Sequence, residues 1–314
     1  KEMKKFGLLL TLSAWGLSAH ASFDLVLVAD TVRDSIRRFD GDSGAYLGEF
    51  GKGFFSTPDQ LVVQPSTGEV YVTDQSRQTV SVWNYSTGKF LREWLVSGGF
   101  SGGATGIALE PSGNLLTFAE GQISRFSTSG TLLASFNPST LGSLYSLTVD
   151  PSGNIMAFDA SGTYASYTSA FSLRTGPTVV SAGIYGNGYF ANSTTLMVPS
   201  YTLNGIQRYT VSATGVLIAN GLFGTTVLDL PLGVAPGHTT DFYAAARLAT
   251  DGTKDSLHRF SRLSTTLAPQ TLYTEASTGT RYRGMATVLA PEPGTMLAIG
   301  SGVAALILRK RKKS

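Results

Sequence analysis

There is no cysteine among the 314 residues, and there are only three histidines. No disulfide can staple this chain, so its fold has to rest on an apolar core alone. Charged residues make up 14% of the sequence, against about 25% in an average soluble domain. No run of Lys or Arg lies between the two ends, which argues against a nucleic-acid partner. The apolar stretch Thr295–Leu308 is 14 residues long, shorter than the ~17–25 that usually span a bilayer. Nucleophilic catalysis also lacks parts. "GFSGG" (Gly99–Gly103) looks superficially like a nucleophile elbow but has no strand-to-helix setting, and beyond the N-terminal region only His238 and His258 are available as bases.

What is present begins at the ends. Residues 1–21 read as a secretory signal peptide: Lys4 and Lys5 form its basic region, Phe6–Leu17 its apolar region, and Ala19-His20-Ala21 a small-residue cleavage site. Cutting by signal peptidase predicts a mature chain from Ser22, outside the cytoplasm. At the other end, Pro291-Glu292-Pro293 precedes the short apolar helix 295–308 and then Arg309, Lys310, Arg311, Lys312 and Lys313. The prolines favour extended backbone around Glu292, and the five cations would keep the end of the tail cytoplasmic. The ends also account for the net charge of +3. The first 21 residues hold three Lys and one Glu, and the last 24 hold five cations and one acid. The body, 22–290, is left with 16 cations and 19 anions.

The body repeats. "LVVQPSTGEVYVTD" (Leu61–Asp74), "GIALEPSGNLLTFAE" (Gly106–Glu120) and "SLTVDPSGNIMAFDA" (Ser146–Ala160) each show an apolar strand ending at a proline, a Ser/Gly turn, and a second strand ending near an acid. Pro65, Pro111 and Pro151 stand 46 and 40 residues apart, the spacing of propeller blades. Two more strand-like segments follow each unit, such as "TVSVWN" and "KFLREW", which makes four strands per blade. Blade starts fall near residues 24, 61, 106, 146, 184 and 231. The first blade, "FDLVLVAD", "DSIRRFD" and "AYLGEF", lacks its innermost strand, and "GMATVLAP" (Gly284–Pro291) is such a strand standing alone. The expected fold is an all-β propeller of six four-stranded blades, closed by the C-terminal strand.

The pattern "P-S-G-N-I-h-h-h-D … h-x-x-F" resembles the NHL-type repeat of six-bladed propellers. The order Pro-Glu-Pro, apolar stretch, basic cluster resembles the PEP-CTERM sorting signal of exported bacterial proteins. That resemblance implies recognition of Pro291, Glu292 and Pro293 by an exosortase-type membrane protease in an exopolysaccharide-producing bacterium. The protein would sit in the inner membrane before sorting and then at the cell surface or in the extracellular matrix. Membrane attachment would be transient, the competing reading being a permanent anchor.

Asp30, Asp74, Glu120 and Asp159 occupy equivalent places at the ends of second strands, on one propeller face. A carboxylate ring there would suit Ca²⁺, and a resemblance to gluconolactonase-like propellers would imply a secreted Ca²⁺-dependent hydrolase or lyase acting on a sugar or lactone. Ser200 and Arg247 stand at two of the six places and break the ring. The favoured reading is that each acid caps its own turn, with no catalytic residue and no cofactor. "YGNGYF" (Tyr185–Phe190) is expected to spend its glycines on a hairpin turn, and Trp83 and Trp94 are expected to pack within outer strands. The function expected is that of a non-enzymatic module contacting extracellular polysaccharide or surface proteins.

Overall fold

The computed structural model describes residues 24–289 except 97–104, 120, 143, 181–182, 185, 239, 249–250, 263–268 and 276–281. Three strands come first: β1 (Leu25–Asp30), β2 (Ser35–Asp40) and β3 (Tyr46–Phe50). The second blade is β4 (Pro58–Gln64), β5 (Glu69–Asp74), β6 (Thr79–Asn84) and β7 (Phe90–Leu95). The third is β8 (Gly106–Leu109), β9 (Leu115–Ala119), β10 (Gln122–Phe126) and β11 (Leu132–Phe136). The fourth is β12 (Leu144–Val149), β13 (Ile155–Asp159), β14 (Thr163–Tyr167) and β15 (Leu173–Val179). The fifth is β16 (Tyr189–Asn192), β17 (Thr195–Ser200), β18 (Gly205–Val211) and β19 (Leu217–Phe223). The sixth is β20 (Leu228–Pro236), β21 (Asp241–Leu248), β22 (Asp251–Ser261) and β23 (Gln270–Thr274), and a lone strand, β24 (Tyr282–Val288), ends the series.

The quoted repeat folds as the inner hairpin of a blade. Within "PSGN" the Gly113 and Gly153 amides donate to the Glu110 and Asp150 carbonyls at 2.8 and 2.9 Å. Both glycines sit at φ near +87°, a conformation that costs other residues free energy. Second strands are buried on both faces, which is why they read as unbroken apolar runs. Val70 and Val72 of β5 face the first blade while Tyr71 faces the third. The core accordingly divides into six apolar clusters, one in each seam between neighbouring blades.

The sheets are six, four-stranded and antiparallel, and the first has the order β24-β1-β2-β3. Leu25 pairs with Val288, Leu27 with Ala286 and Asp30 with Tyr282. The C-terminal strand thus completes the blade that the N-terminal strands begin, as expected from the sequence. Ala286 packs into the seam with the second blade, and Met285 and Tyr282 pack into the seam with the sixth. The "YGNGYF" expectation fails. The turn between β16 and β17 lies at Ser193-Thr194, whereas Gly186 and Gly188 precede β16. A Cβ on Gly186 would collide with the Leu232 carbonyl, and one on Gly188 would lie 2.6 Å from the Met197 carbonyl. These glycines permit close backbone approach.

The scarce charges clamp the ring. In every blade one arginine reaches an outer turn of the next. Arg38 donates to the Ser86 carbonyl, Arg92 to Thr128, Arg125 to Ser169, Arg174 to Ala213 and Arg208 to Arg262, and Arg259 closes the circle on the Asp42 carboxylate. The seam between sixth and first blades has an additional buried lock. Arg37, 4% exposed, pairs with Glu275 and donates to the Tyr282 hydroxyl at 2.6 Å. Burial works against the guanidinium's charge, but Tyr282, Glu275 and Tyr273 hold its pKa above the ordinary arginine value. Deleting one partner of a buried pair strands the other charge.

Glu275→Ala is therefore expected to destabilise the body by about 3–5 kcal/mol in urea unfolding. A body ending at Thr280 is expected to lose cooperative melting or aggregate, while one ending at Ala290 melts cooperatively. Equal melting of the two would contradict the closure.

Candidate functional site

Inner strands begin on the face where second strands end, since Pro58 pairs with Asp74 and Leu144 with Asp159. Of the acids singled out in the sequence, Asp30, Asp74 and Asp159 lie on this entry face, each hydrogen-bonded within its own blade connections. Asp30 Oδ1 accepts the Val32 and Arg33 amides at 3.1 Å, and its Oδ2 accepts from Arg33 Nη1. Asp74 accepts the Ser56, Thr57 and Arg77 amides at 2.7, 3.2 and 3.0 Å. Asp159 accepts the Ser161 and Thr163 amides at 2.9 Å and the Gly142 amide at 3.2 Å. These carboxylates satisfy turn N–H groups, and Asp74 and Asp159 also fasten the chain arriving from the previous blade. Glu120 and the "GFSGG" loop lie outside the described residues, as do the processing residues Ala19, Ala21, Pro291, Glu292 and Pro293 and the cations 309–313. Among the described residues no three His, Asp or Glu side chains converge as a metal site. Trp83 is 5% exposed and wedged among Phe50, Phe54, Phe55 and Phe90, and Trp94 packs on Tyr71 and Phe126.

The axis carries what sequence reasoning missed. Innermost strands have one unpaired edge, whose N–H and C=O groups face the channel. Asn187, on the segment leading into β16, satisfies two of them. Its Oδ1 accepts the Leu147 amide at 3.2 Å and its Nδ2 donates to the Ile107 carbonyl at 2.5 Å. Its own amide donates to Gln60 Oε1 at 3.3 Å, so four blades meet at one asparagine. Beyond it, toward the face where inner strands end, lies a recess of about 440 Å³ lined by all six inner strands. Two rim carboxylates are already engaged: Glu110 with Arg125 at 2.7 Å, and Asp150 with the Ser152 and Asn154 amides at 2.8 Å. On the same exit face, buried Asp24 accepts from Tyr243 at 2.9 Å and meets His238 Nε2 at 2.8 Å. The only sequence signal for Asn187 was its position between two glycines.

Two buried titratable groups stand apart from the lining of the recess. Asp59, 2% exposed, is pushed up to about 6 by burial, although Arg283 stands 3.6 Å away. His258, fully buried against Ser256 and Thr271, is pushed down to about 4 by burial.

Residues 289–312, directly after the end of β24, match the family model of the PEP-CTERM protein-sorting motif. The chain carries a PEP-CTERM sorting signal. The signal implies an exported protein with a propeller body, attached through its C-terminus before processing and handled by an exosortase in general terms. No helix among the described residues is long and apolar enough to cross a membrane. No curated protein matches the sequence. Similar solved structures include a Bacteroides caccae protein of unknown function, with TM-score 0.65 and 12% identity over 85% of this chain and 99% of that one. A chain of a nidogen/laminin complex gives TM-score 0.64 and 15% identity over 84% and 98%. The virginiamycin B lyase of Staphylococcus aureus gives 0.55 and 14% over 78% and 79%. At these identities the likeness concerns the fold alone.

The two buried groups set opposing pH dependences. Unfolded, His258 titrates near 6.5, so from pH 4 to 6.5 the unfolded chain binds the extra proton. Its contribution to stability is full above 6.5 and is lost, by about 3 kcal/mol, as pH falls to 4. Asp59 behaves oppositely: its ordinary value is 3.8, so the folded protein holds the extra proton, and this contribution is lost as pH rises through 6. The two offset each other between pH 4 and 6. Asp59→Asn is therefore expected to gain about 3 kcal/mol between pH 4 and 6.5 in urea titrations, while the parent stays nearly flat. An equally flat variant would mean that His258 is not held neutral.

Proposed function

We propose that the protein is exported by an N-terminal signal peptide cut after Ala21, held briefly at the inner membrane, and released from its tail at Pro291-Glu292-Pro293 by an exosortase. It then works at the cell surface or in the exopolysaccharide matrix as a non-catalytic interaction module. One observation carries the sorting half of this reading: the motif begins at residue 289, immediately after the strand that closes the propeller ends at Val288. The body is complete where the signal starts, so removal of the signal costs the fold nothing. The non-catalytic half is supported by the engagement of Asp30, Asp74 and Asp159 in turn hydrogen bonds. The rival reading is a secreted Ca²⁺-dependent hydrolase or lyase on a sugar or lactone, and it draws on the lyase among the structural neighbours.

Replacing Pro291, Glu292 and Pro293 together by alanine is expected to leave export intact, because the N-terminal signal is untouched. An unprocessed, membrane-bound form should accumulate, since alanines permit helix where the prolines enforce extended chain. Mass spectrometry of the C-terminus in the host reads the outcome. A mature surface form that retains Leu308 and the basic cluster would identify a permanent anchor instead. Screening the body with lactones and polysaccharides in the presence of Ca²⁺ is expected to show no turnover. Activity abolished by Asp74→Asn or Asp159→Asn would establish the rival.

A further inference from the structure

The sorting tail leaves the body from one particular face. β24 is an inner strand, so Val288 and the exposed Leu289 stand on the exit face, where the other inner strands also end. Five residues, Ala290–Gly294, separate Leu289 from the apolar stretch that begins at Thr295, and at full extension they reach about 17 Å. A body tethered through an inserted tail therefore has its exit face nearest the lipid.

That face has an apolar rim. In each blade the second strand runs from exit to entry face and the third runs back, so the outermost strand starts at the exit face. Tyr46, Phe90, Leu132, Leu173 and Ile218 stand at or next to the first positions of β3, β7, β11, β15 and β19, and all five are exposed. Repeated blades put equivalent positions at one height around the axis, so these side chains form a level arc over five consecutive blades. In the first three blades the next residue is bulged out of the strand pairing. It is a leucine each time, Leu47, Leu91 or Leu133, and each is exposed. The entry face exposes fewer large apolar side chains, Val32 and Leu203 among them.

Charge separates the two faces as well. At the exit rim Arg38, Arg174 and Arg208 bind only carbonyl, hydroxyl and amide oxygens, and Lys89, next to Phe90, is exposed. The entry face carries the carboxylates of Asp30, Asp74 and Asp159 instead. Apolar side chains interspersed with cations suit the boundary of an anionic bilayer. A second copy docked by the same rim through a two-fold axis would set cation against cation.

We propose that, before its tail is cut, the body rests with its exit face on the membrane, the apolar rim entering the headgroup boundary of an anionic phospholipid bilayer. This rests on the reading that the tail inserts into the inner membrane. Docking in this way holds Pro291-Glu292-Pro293 beside the lipid, within reach of a membrane-embedded protease.

The test uses the body 22–290, which lacks both signals and whose 24 strands close the ring. It should float with vesicles of equal parts phosphatidylglycerol and phosphatidylethanolamine. With pure phosphatidylcholine, or in about 1 M salt, binding should fall at least about tenfold. Leu132→Ser with Leu133→Ser, and Leu173→Ser with Ile218→Ser, should each weaken binding at least about tenfold. Val32→Ser with Leu203→Ser, on the entry face, should leave it unchanged. A melting curve like the parent's qualifies a variant. Hydrogen exchange of the unaltered body needs no variant: vesicles should slow exchange in the exit-face turns 41–45 and 127–131, not in the entry-face turns 31–34 and 201–204. Absence of flotation would overturn the proposal, as would protection of the entry-face turns or parental binding by a well-folded rim variant. A dimer in vesicle-free solution that Leu132→Ser with Leu133→Ser dissolves would also overturn it, by assigning the rim to a second copy. The probe carries no tail, so exosortase processing stands or falls separately, on the C-terminus found in the host.

Discussion

Pairing β24 with β1 joins residues 263 positions apart, Leu25 and Val288, and every seam of the ring depends on that join. Loop-closure entropy rises only logarithmically with length, so the distance itself costs little. What opposes closure is the ordering of the last strand, and what favours it is burial on both sides. Ala286 fills the seam toward the second blade, while Met285 and Tyr282 fill the seam toward the sixth. An open ring would leave Val26 and Val28 with an incomplete apolar seam and β1 with a bare edge, the usual template for aggregation. With no cysteine available, hydrophobic burial and the Arg37–Glu275 lock have to hold the join.

The low charge content takes on meaning in this frame. Six arginines, one per blade, reach an outer turn of the following blade and so work around the circumference, while Asn187 works at the axis. Seam cores, rim clamps and axial asparagine act at three radii on the same packing. In the second and fourth blades the clamp comes from the outermost strand instead. Arg92 there pairs in register with Val82, the place where other blades carry the arginine. The position of the guanidinium is kept while its parent strand changes.

Much of the ring was legible because its signals are local. A "PSGN" turn between apolar strands needs only glycine's freedom at positive φ, so three blades announced themselves, and the first blade's missing strand pointed to "GMATVLAP". The turn-capping role of Asp74 and Asp159 could be read for the same reason. The lock and the axial asparagine could not. Arg37 looked like one of two charges on a strand, and Glu275 lies 238 residues away. The value of Asn187 depends on three other blades presenting unpaired edges to it, which no window of sequence contains. The clamps were half visible: "IRRF", "ISRF", "IQRY" and "LHRF" repeat an arginine before an aromatic, but only the ring supplies the neighbouring turn.

The most direct test of closure uses the absence of cysteine. With Leu25→Cys and Val288→Cys introduced together, the directly opposed pair should lie within the ~4.4–6.8 Å Cα separation that a disulfide accepts. Mass spectrometry of the folded monomer should find that bridge in nearly every molecule. Leu25→Cys combined with Ala286→Cys, two residues out of register, should form almost none. Equal bridging by the two pairs, or none by the first, would mean that the ring is not closed by β24 in this register.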